Sequence, residues 1–283
     1  MAIHDSLGDR MKEYESRNQY FLQRRTPVCI RVDMRAGHTF TRGFARPFDE
    51  VFSNAMVRTM EYCAKNISNC VFAYCQSDEI TFILVDYAKL ETDAWFDYRT
   101  DKLCSIAASM ATMAFNKYFA EKIMEFDKEN NLSSMAYFNN PNNEITKLHD
   151  TYWSAYHKGA MFDARCFNIP KEEVTNLIYW RQLDATRNSI QMVGQANFSH
   201  KELQNKSCNM IQDMLHEEKG INWNDFPTYL KRGSCIIKTE DKTTCAKDTQ
   251  TTDRSHWVVD RDIPIFKGEG REYIEKLIQP EEQ

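Results

Sequence analysis

Apolar residues change their spacing along this chain, and each change marks an element. Between residues 5 and 22, Leu7, Met11, Tyr14 and Asn18 or Phe21 recur at helical intervals. With Asp5 or Ser6 as cap, this predicts a helix, and Pro27 breaks the pattern. From 28 to 35 the period drops to two. Val28, Ile30 and Val32 share one side and Cys29, Arg31 and Asp33 the other, which predicts a strand ending in charge. Residues 38–50 read as a loop with Asp49 capping a helix over about 50–66. A hairpin follows at 70–75 and 79–85, then a long helix over about 97–125 whose buried stripe runs Leu103, Ile106, Ala107, Met110, Met113, Ala114, Tyr118, Phe119. Residues 127–150 are rich in Asn and Ser and read as a loop. A strand is predicted over 159–169 and a helix over 171–195, with its stripe passing through Val174, Leu177, Ile178, Trp180 or Arg181, Leu183 and Ile190. Shorter helices begin at a Ser199 cap. Residues 233–239 and 256–266 form a last strand pair around a polar linker, 240–255.

Strand–helix–strand–strand–helix–strand is the split βαβ order. It predicts an α+β fold: a four-stranded antiparallel, ferredoxin-like sheet with two helices on one face and a helical and hairpin extension at the C-terminus. The other face is open unless something covers it or binds there.

Composition narrows the partners. The 283 residues suit one large unit or two small ones, and 42% hydrophobic content supports a substantial core. A net charge of −5 excludes a uniformly basic nucleic-acid binder, so polyanions must be met by local patches: Arg24-Arg25, Arg35 with Arg42 and Arg46, Arg99 with Lys102, and Lys231-Arg232. The nine cysteines contain no C-x-x-C, and Cys29, Cys70 and Cys104 lie in apolar runs as small hydrophobes, which predicts a reducing compartment, the cytoplasm. The charged first turns do not read as a signal peptide, and no stretch has the roughly 20 apolar residues of a membrane span.

The chemistry starts at "FAYCQSDEITFIL", residues 72–84, a hairpin with no Gly, Asn or Pro at its turn. In the split βαβ order the first and third strands are neighbours. Asp33, closing the first, can therefore meet Asp78 at the hairpin, 45 positions later. Two like charges held close repel unless a cation lies between them. Mg2+ takes one or two carboxylates together with substrate phosphates, and two such ions serve in-line phosphoryl displacement. The plainer reading makes Asp78 a turn residue. It leaves unexplained two acidic strand ends with arginines between them. Glu79 reads equally as a third ligand or as an ion-pair partner of Arg31.

The segments "CIRVDMRAGHTFTRGFARPFDE", "FAYCQSDEITFIL", "WFDYRTDKL", "YWRQLDATRNSIQ" and "YLKRGSCI" resemble, in order and spacing, the tRNA-histidine guanylyltransferase family. The likeness spans roughly 28–238. It implies one catalytic unit over 1–283: an N-terminal helix (1–25), a palm-type core (26–170) like that of ordinary polymerases, a helical tRNA- and nucleotide-binding part with a closing strand (171–239), and a tail (240–283). It implies nucleotide addition to the 5′ end of tRNA after ATP or GTP activates the 5′-phosphate, and an assembly of copies, dimer or tetramer.

By that resemblance Asp33, Asp78 and the Met34 carbonyl hold two Mg2+ ions, with Ser77 and Glu79 flanking them and Glu79 among the catalytic acids. Arg46 and Arg35 serve the triphosphate. Arg99 and Lys102, three apart on a helix, serve the activation step, and Asn188 and Lys206 are further phosphate or RNA contacts. Trp180 reads as core rather than as a base-stacking platform. Two positions depart from the family pattern. Its D-G-R is Asp33-Met34-Arg35 here, keeping a carbonyl but not the freedom of Gly at positive φ. Thr186 stands where an anticodon-reading histidine is found, which points to the like-protein branch that repairs 5′-truncated tRNAs on a template. Two other classes remain open: a palm-sheet nucleotide cyclase, and an RNA-binding module without catalysis.

Overall fold

The computed structural model describes residues 6–89, 91–132, 143–241 and 254–279. The elements are α1 (Ser6–Ser16), β1 (Val28–Met34), α2 (Gly37–Phe40), α3 (Glu50–Asn66), β2 (Cys70–Gln76), β3 (Glu79–Leu84), α4 (Thr100–Glu129), α5 (Glu144–Lys158), β4 (Phe162–Asn168) and α6 (Val174–Asn197). They continue with α7 (His200–Leu203), α8 (Cys208–Lys219), α9 (Thr228–Arg232), β5 (Ser234–Asp241), β6 (Arg254–Asp260) and α10 (Glu272–Glu275).

The sheet runs β4-β1-β3-β2-β5-β6, with every neighbouring pair antiparallel. Its first four strands have the split βαβ order, with β1 and β3 side by side. The tail strands widen this sheet to six. Antiparallel register puts directly opposed residues on one side. Asp33 faces Glu79 on β3 and Asp163 on β4, so acids gather at one end of the three strands.

The period-two reading of β1 holds. Val28, Ile30 and Val32 pack with α3 and α4, whereas Cys29 packs on the opposite side with Val174 and Ile178 of α6. That opposite face is not open. α6 and the tail residues Ile263, Phe266, Ile274 and Ile278 cover it, so helices lie on both sides of the sheet. Gln182 fastens the tail, donating to the Pro264 carbonyl at 2.8 Å and accepting from the Phe266 N–H at 3.0 Å.

Several expectations are corrected. α1 ends at Ser16, and its predicted stripe is exposed at Leu7, Met11 and Tyr14. The stretch read as a loop over 127–150 contains the start of α5, capped by Asn143 accepting from the Ile145 N–H at 2.6 Å. Part of that stretch, 133–142, lies outside the described residues, as do 242–253 of the linker. On α4 the buried stripe turns through Ala111, Phe115 and Ile123, leaving Met113 exposed. On α6 the buried positions are Ile178, Arg181 and Ala185, while Trp180 and Leu183 face outward. Among the described residues eight cysteines are free thiols, with Cys29 and Cys70 buried as predicted and Cys104 half-buried. Among the described residues no helix is long and apolar enough to cross a membrane.

Candidate active site

The hairpin between β2 and β3 turns tightly at Ser77 and Asp78. Ser77 adopts φ 50°, a left-handed conformation that favours glycine and that costs an ordinary residue about 1 kcal/mol or more. The turn is tied to the end of β1, because the Met34 N–H donates to the Asp78 carbonyl at 3.1 Å. Beside it the chain rises into α2 through Ala36, also left-handed at φ 55°. Met34 itself lies in the strand and is not among the positive-φ residues, so the freedom of a glycine is not needed there. Glycine is needed at 37. A Cβ on Gly37 would lie 1.9 Å from Asp78 Oδ2, so the carboxylate occupies the space that any side chain would take.

The two acids converge as expected. The Asp33 carboxyl is pushed up to about 6, first by burial and then by the negative charge of Asp78, Glu79 and Asp163, with Arg165 opposing. Neither the Asp33 nor the Asp78 carboxylate has a hydrogen-bond or ion-pair partner among the described residues. Nearby, buried Gln76 Oε1 has no hydrogen-bond donor. These hard-oxygen groups suit a divalent cation, which would relieve the repulsion. Among the described residues no three His, Cys, Asp or Glu side chains cluster for a metal. Two carboxylates alone are what Mg2+ uses when phosphates complete its coordination. Met34 is buried and offers only its backbone.

Glu79 has a different task. Its Oε1 accepts from Arg181 Nε at 2.7 Å, and its Oε2 faces Arg31 Nε at 3.5 Å. Of its two readings, the ion pair is the one observed: Oε1 accepts from Arg181 and Oε2 lies within ion-pair range of Arg31. Arg181 is further held by Asp184 at 2.9 Å.

Asp78 opens into a cavity of about 590 Å³ between α2, α3, α6 and the start of β5. Arg46, Ser77 and Asn188 line it, together with His38 of α2, Arg42 of the loop after it and apolar Phe44, Phe52 and Met192. Gly233, at φ 86°, lets the chain enter β5 against the Cys75 carbonyl, where a Cβ would come within 2.5 Å. The other predicted residues lie elsewhere. Arg35 is exposed beside the acids, with its N–H donating to the Met161 carbonyl at 2.8 Å. Arg99 and Lys102 sit at the N-terminus of α4, which meets Cys166 of β4 through the Thr100 carbonyl and reaches Phe21 through an isolated bridge. That is the opposite end of the sheet from Asp33, so within one chain they do not join the cavity. Lys206 is exposed between α7 and α8, outside the cavity.

Sequence reasoning missed Gly37, His38 and Arg181. The signal for Arg181 was present: an arginine on the buried stripe of α6 needs an acid opposite it.

The profile described as "Thg1: tRNAHis guanylyltransferase" matches residues 8–170. A solved bacterial tRNA(His) guanylyltransferase (Thg1)-like protein in complex with ATP is 39% identical, covers 97% of this chain and 99% of its own, and superposes with a TM-score of 0.75. A bacterial Thg1-like protein in complex with GTP is 36% identical over the same shares, with a TM-score of 0.69. The tRNA(His) guanylyltransferase of Saccharomyces cerevisiae is 27% identical over 233 residues, 75% of this chain and 82% of that protein.

Proposed function

We propose, for a chain that belongs to the tRNA(His) guanylyltransferase family, that the cavity beside Asp78 binds a nucleoside triphosphate and that the Asp33–Asp78 rim is where it reacts with an RNA 5′ end. The protein is a nucleotidyltransferase that adds nucleotides to the 5′ end of tRNA, and ATP and GTP are the nucleotides seen with its structural relatives. The observation that carries the site assignment is a pair of carboxylates without partners among the described residues, Asp33 raised first by burial and then by the charge of Asp78, beside a cavity lined by Arg46.

Two steps follow from the family chemistry. An oxygen of the RNA 5′-monophosphate attacks the α-phosphorus of ATP or GTP and pyrophosphate leaves. The 3′-hydroxyl of the incoming nucleotide then attacks the activated 5′-phosphorus, and the nucleoside monophosphate leaves. Arg46 stabilises the triphosphate with a charge-assisted hydrogen bond. The Ser77 hydroxyl and the Asn188 amide orient phosphate and sugar at the cavity wall. Gly37 lets the Asp78 carboxylate reach the rim, and the Arg31–Glu79–Arg181 cluster fixes the strand ends that carry both acids. Mg2+, two ions by family resemblance, would be held by Asp33, Asp78 and the Met34 carbonyl, where it supplies charge neutralisation and an acidified hydroxyl.

Thr186 donates to its own helix at the Gln182 carbonyl, 3.0 Å away, and is half-buried. Its hydroxyl is thus engaged within the helix, which argues against Thr186 as an anticodon reader. A cytoplasmic place of work and an assembly of copies, using the exposed Met113 and Met124 on α4, complete the reading.

The test is extension of 5′-truncated tRNA with ATP, GTP and Mg2+. Asp33→Ala and Asp78→Ala should each lower extension by about a thousandfold or more while the fold persists. Undiminished extension in either variant overturns the assignment. A cyclic nucleotide formed from triphosphate without RNA would instead mark a cyclase.

A further inference from the structure

Trp180 was expected in the core, yet half of its surface is exposed. Two guanidinium groups lie against its ring, Arg181 at 4.6 Å and Arg31 at 5.8 Å from the centroid. An exposed indole is an unusual use of the largest apolar side chain, and its π-face is a surface on which a base can stack, with guanidinium charge beside it for the phosphate. Arg31 has spare capacity. Its buried Nε has no hydrogen-bond partner, and its ion pair with Glu79 is long, at 3.5 Å.

Position gives the patch its meaning. Arg31 and Asp33 are two residues apart on β1 and so face the same side, about 7 Å apart along the strand. Glu79, which holds Arg31 and Arg181, lies directly opposite Asp33. Arg165 faces Arg31 on β4 and adds positive charge to the same surface. Trp180 does not line the cavity beside Asp78, although Ala185 and Asn188 of the same helix do. A base stacked on Trp180 is therefore not that of the nucleotide in the cavity.

We propose that Trp180, backed by Arg31 and Arg181, is a stacking platform for a nucleobase at the end of the RNA substrate, which it holds so that the RNA 5′-phosphate reaches Asp33. The inference rests on the reading of the Asp33–Asp78 rim given above. Trp180 is a positioning residue: it grips the base and leaves the reacting atoms to the rim. The Arg31 guanidinium, held against the indole and paired only at long range with Glu79, supplies positive charge for the adjoining phosphate. Stacking of this kind tolerates any base, which suits an enzyme that accepts differently truncated ends.

The experiment compares wild type, Trp180→Ala and Trp180→Phe, each as the full chain, with Asp33→Ala as reference. Affinity for 5′-truncated tRNA is measured by fluorescence anisotropy, and intrinsic tryptophan emission is followed during the same titration. Trp180→Ala should weaken RNA binding by about tenfold and raise KM for RNA equally, with kcat and KM for ATP changed by less than about twofold. Trp180→Phe, which keeps a π-face, should recover most of the affinity but lose most of the RNA-dependent quenching. Unchanged RNA affinity in Trp180→Ala overturns the proposal. So does loss of self-association with RNA affinity intact, because the face then joins copies of the chain. If Trp180→Ala is fully active while Asp33→Ala is dead, only this inference falls; if Asp33→Ala is active, the reading of the rim falls instead.

Discussion

β3 has an acid beyond each of its ends, Asp78 before it and Asp86 after it, and the two are treated differently. Asp86 is completely buried, and its carboxylate is satisfied: both oxygens accept from the Arg25 N–H, at 2.9 and 3.0 Å, and Arg24 lies 3.8 Å away. The Arg25 side chain closes the arrangement by donating to the Asp86 carbonyl at 3.0 Å. Asp78 is more exposed, faces Asp33 and has no such partner. Around it lie a left-handed serine, a glycine where a Cβ would displace the Asp78 carboxylate, and a buried amide oxygen without a donor. A charge that the fold compensates belongs to the structure. A charge left uncompensated beside a cavity is waiting for something that the chain does not contain.

That contrast can be broken at either end. With both acids left in place, the largest effect on rate is expected at Gly37. Gly37→Ala places a methyl group on the Asp78 carboxylate, and a shift of an ångström at a reacting site costs about a hundredfold in rate. Extension of truncated tRNA should fall by that factor with tRNA affinity preserved; full activity would mean that the cradle is incidental. Next comes Asp86→Ala, which strands the Arg25 N–H in a buried site. It should destabilise the fold by about 3 kcal/mol, roughly 6–12 °C in Tm, while kcat of the surviving folded protein stays near wild type. A rate loss without a change in Tm would make Asp86 functional rather than structural.

The smallest effect concerns Asp33 without metal. Its carboxyl is raised to about 6, so between about pH 4 and 6 the folded chain holds a proton that the unfolded chain has released. Stability therefore falls as pH rises through that window. Because Asp33 is partly exposed, the loss is screened to about 1 kcal/mol. In the absence of metal, Asp33→Asn should melt about 2–4 °C above wild type at pH 7, and the gap should close below pH 4. Equal melting at pH 7 would show that neither burial nor the neighbouring acids strain the Asp33 carboxylate.

How far the sequence could be read follows the physics of each feature. β1 and the hairpin were legible because a period of two assigns faces without knowledge of the rest of the fold. The meeting of Asp33 and Asp78 followed from strand order alone. Trp180 was not legible. On α6 the apolar residues permit two stripes rotated by one position, and only packing against Cys29 and Ile83 selects the one that buries Arg181 and exposes the indole. Arg99 and Lys102 were correctly placed near the start of a helix, but helical spacing says nothing about which end of the sheet that helix begins at. α5 carried its own signal, Asn143 before a stripe of Leu148, Tyr152 and Ala155, which the polar composition around it obscured. The second cover of the sheet was hidden for a related reason. Ile263, Phe266, Ile274 and Ile278 lie too irregularly for either period, and they become a core only when wrapped over β2 and α6.

The central claim is that Asp33 and Asp78 share a divalent cation with a bound triphosphate. Calorimetric titration of Mn2+ into the ATP-saturated protein tests it directly, with Asp33→Asn and Asp78→Asn beside the wild type and free ATP subtracted. The account predicts protein-dependent metal binding in the wild type and its loss in both variants while ATP itself still binds. Wild-type Mn2+ affinity in either variant would contradict it.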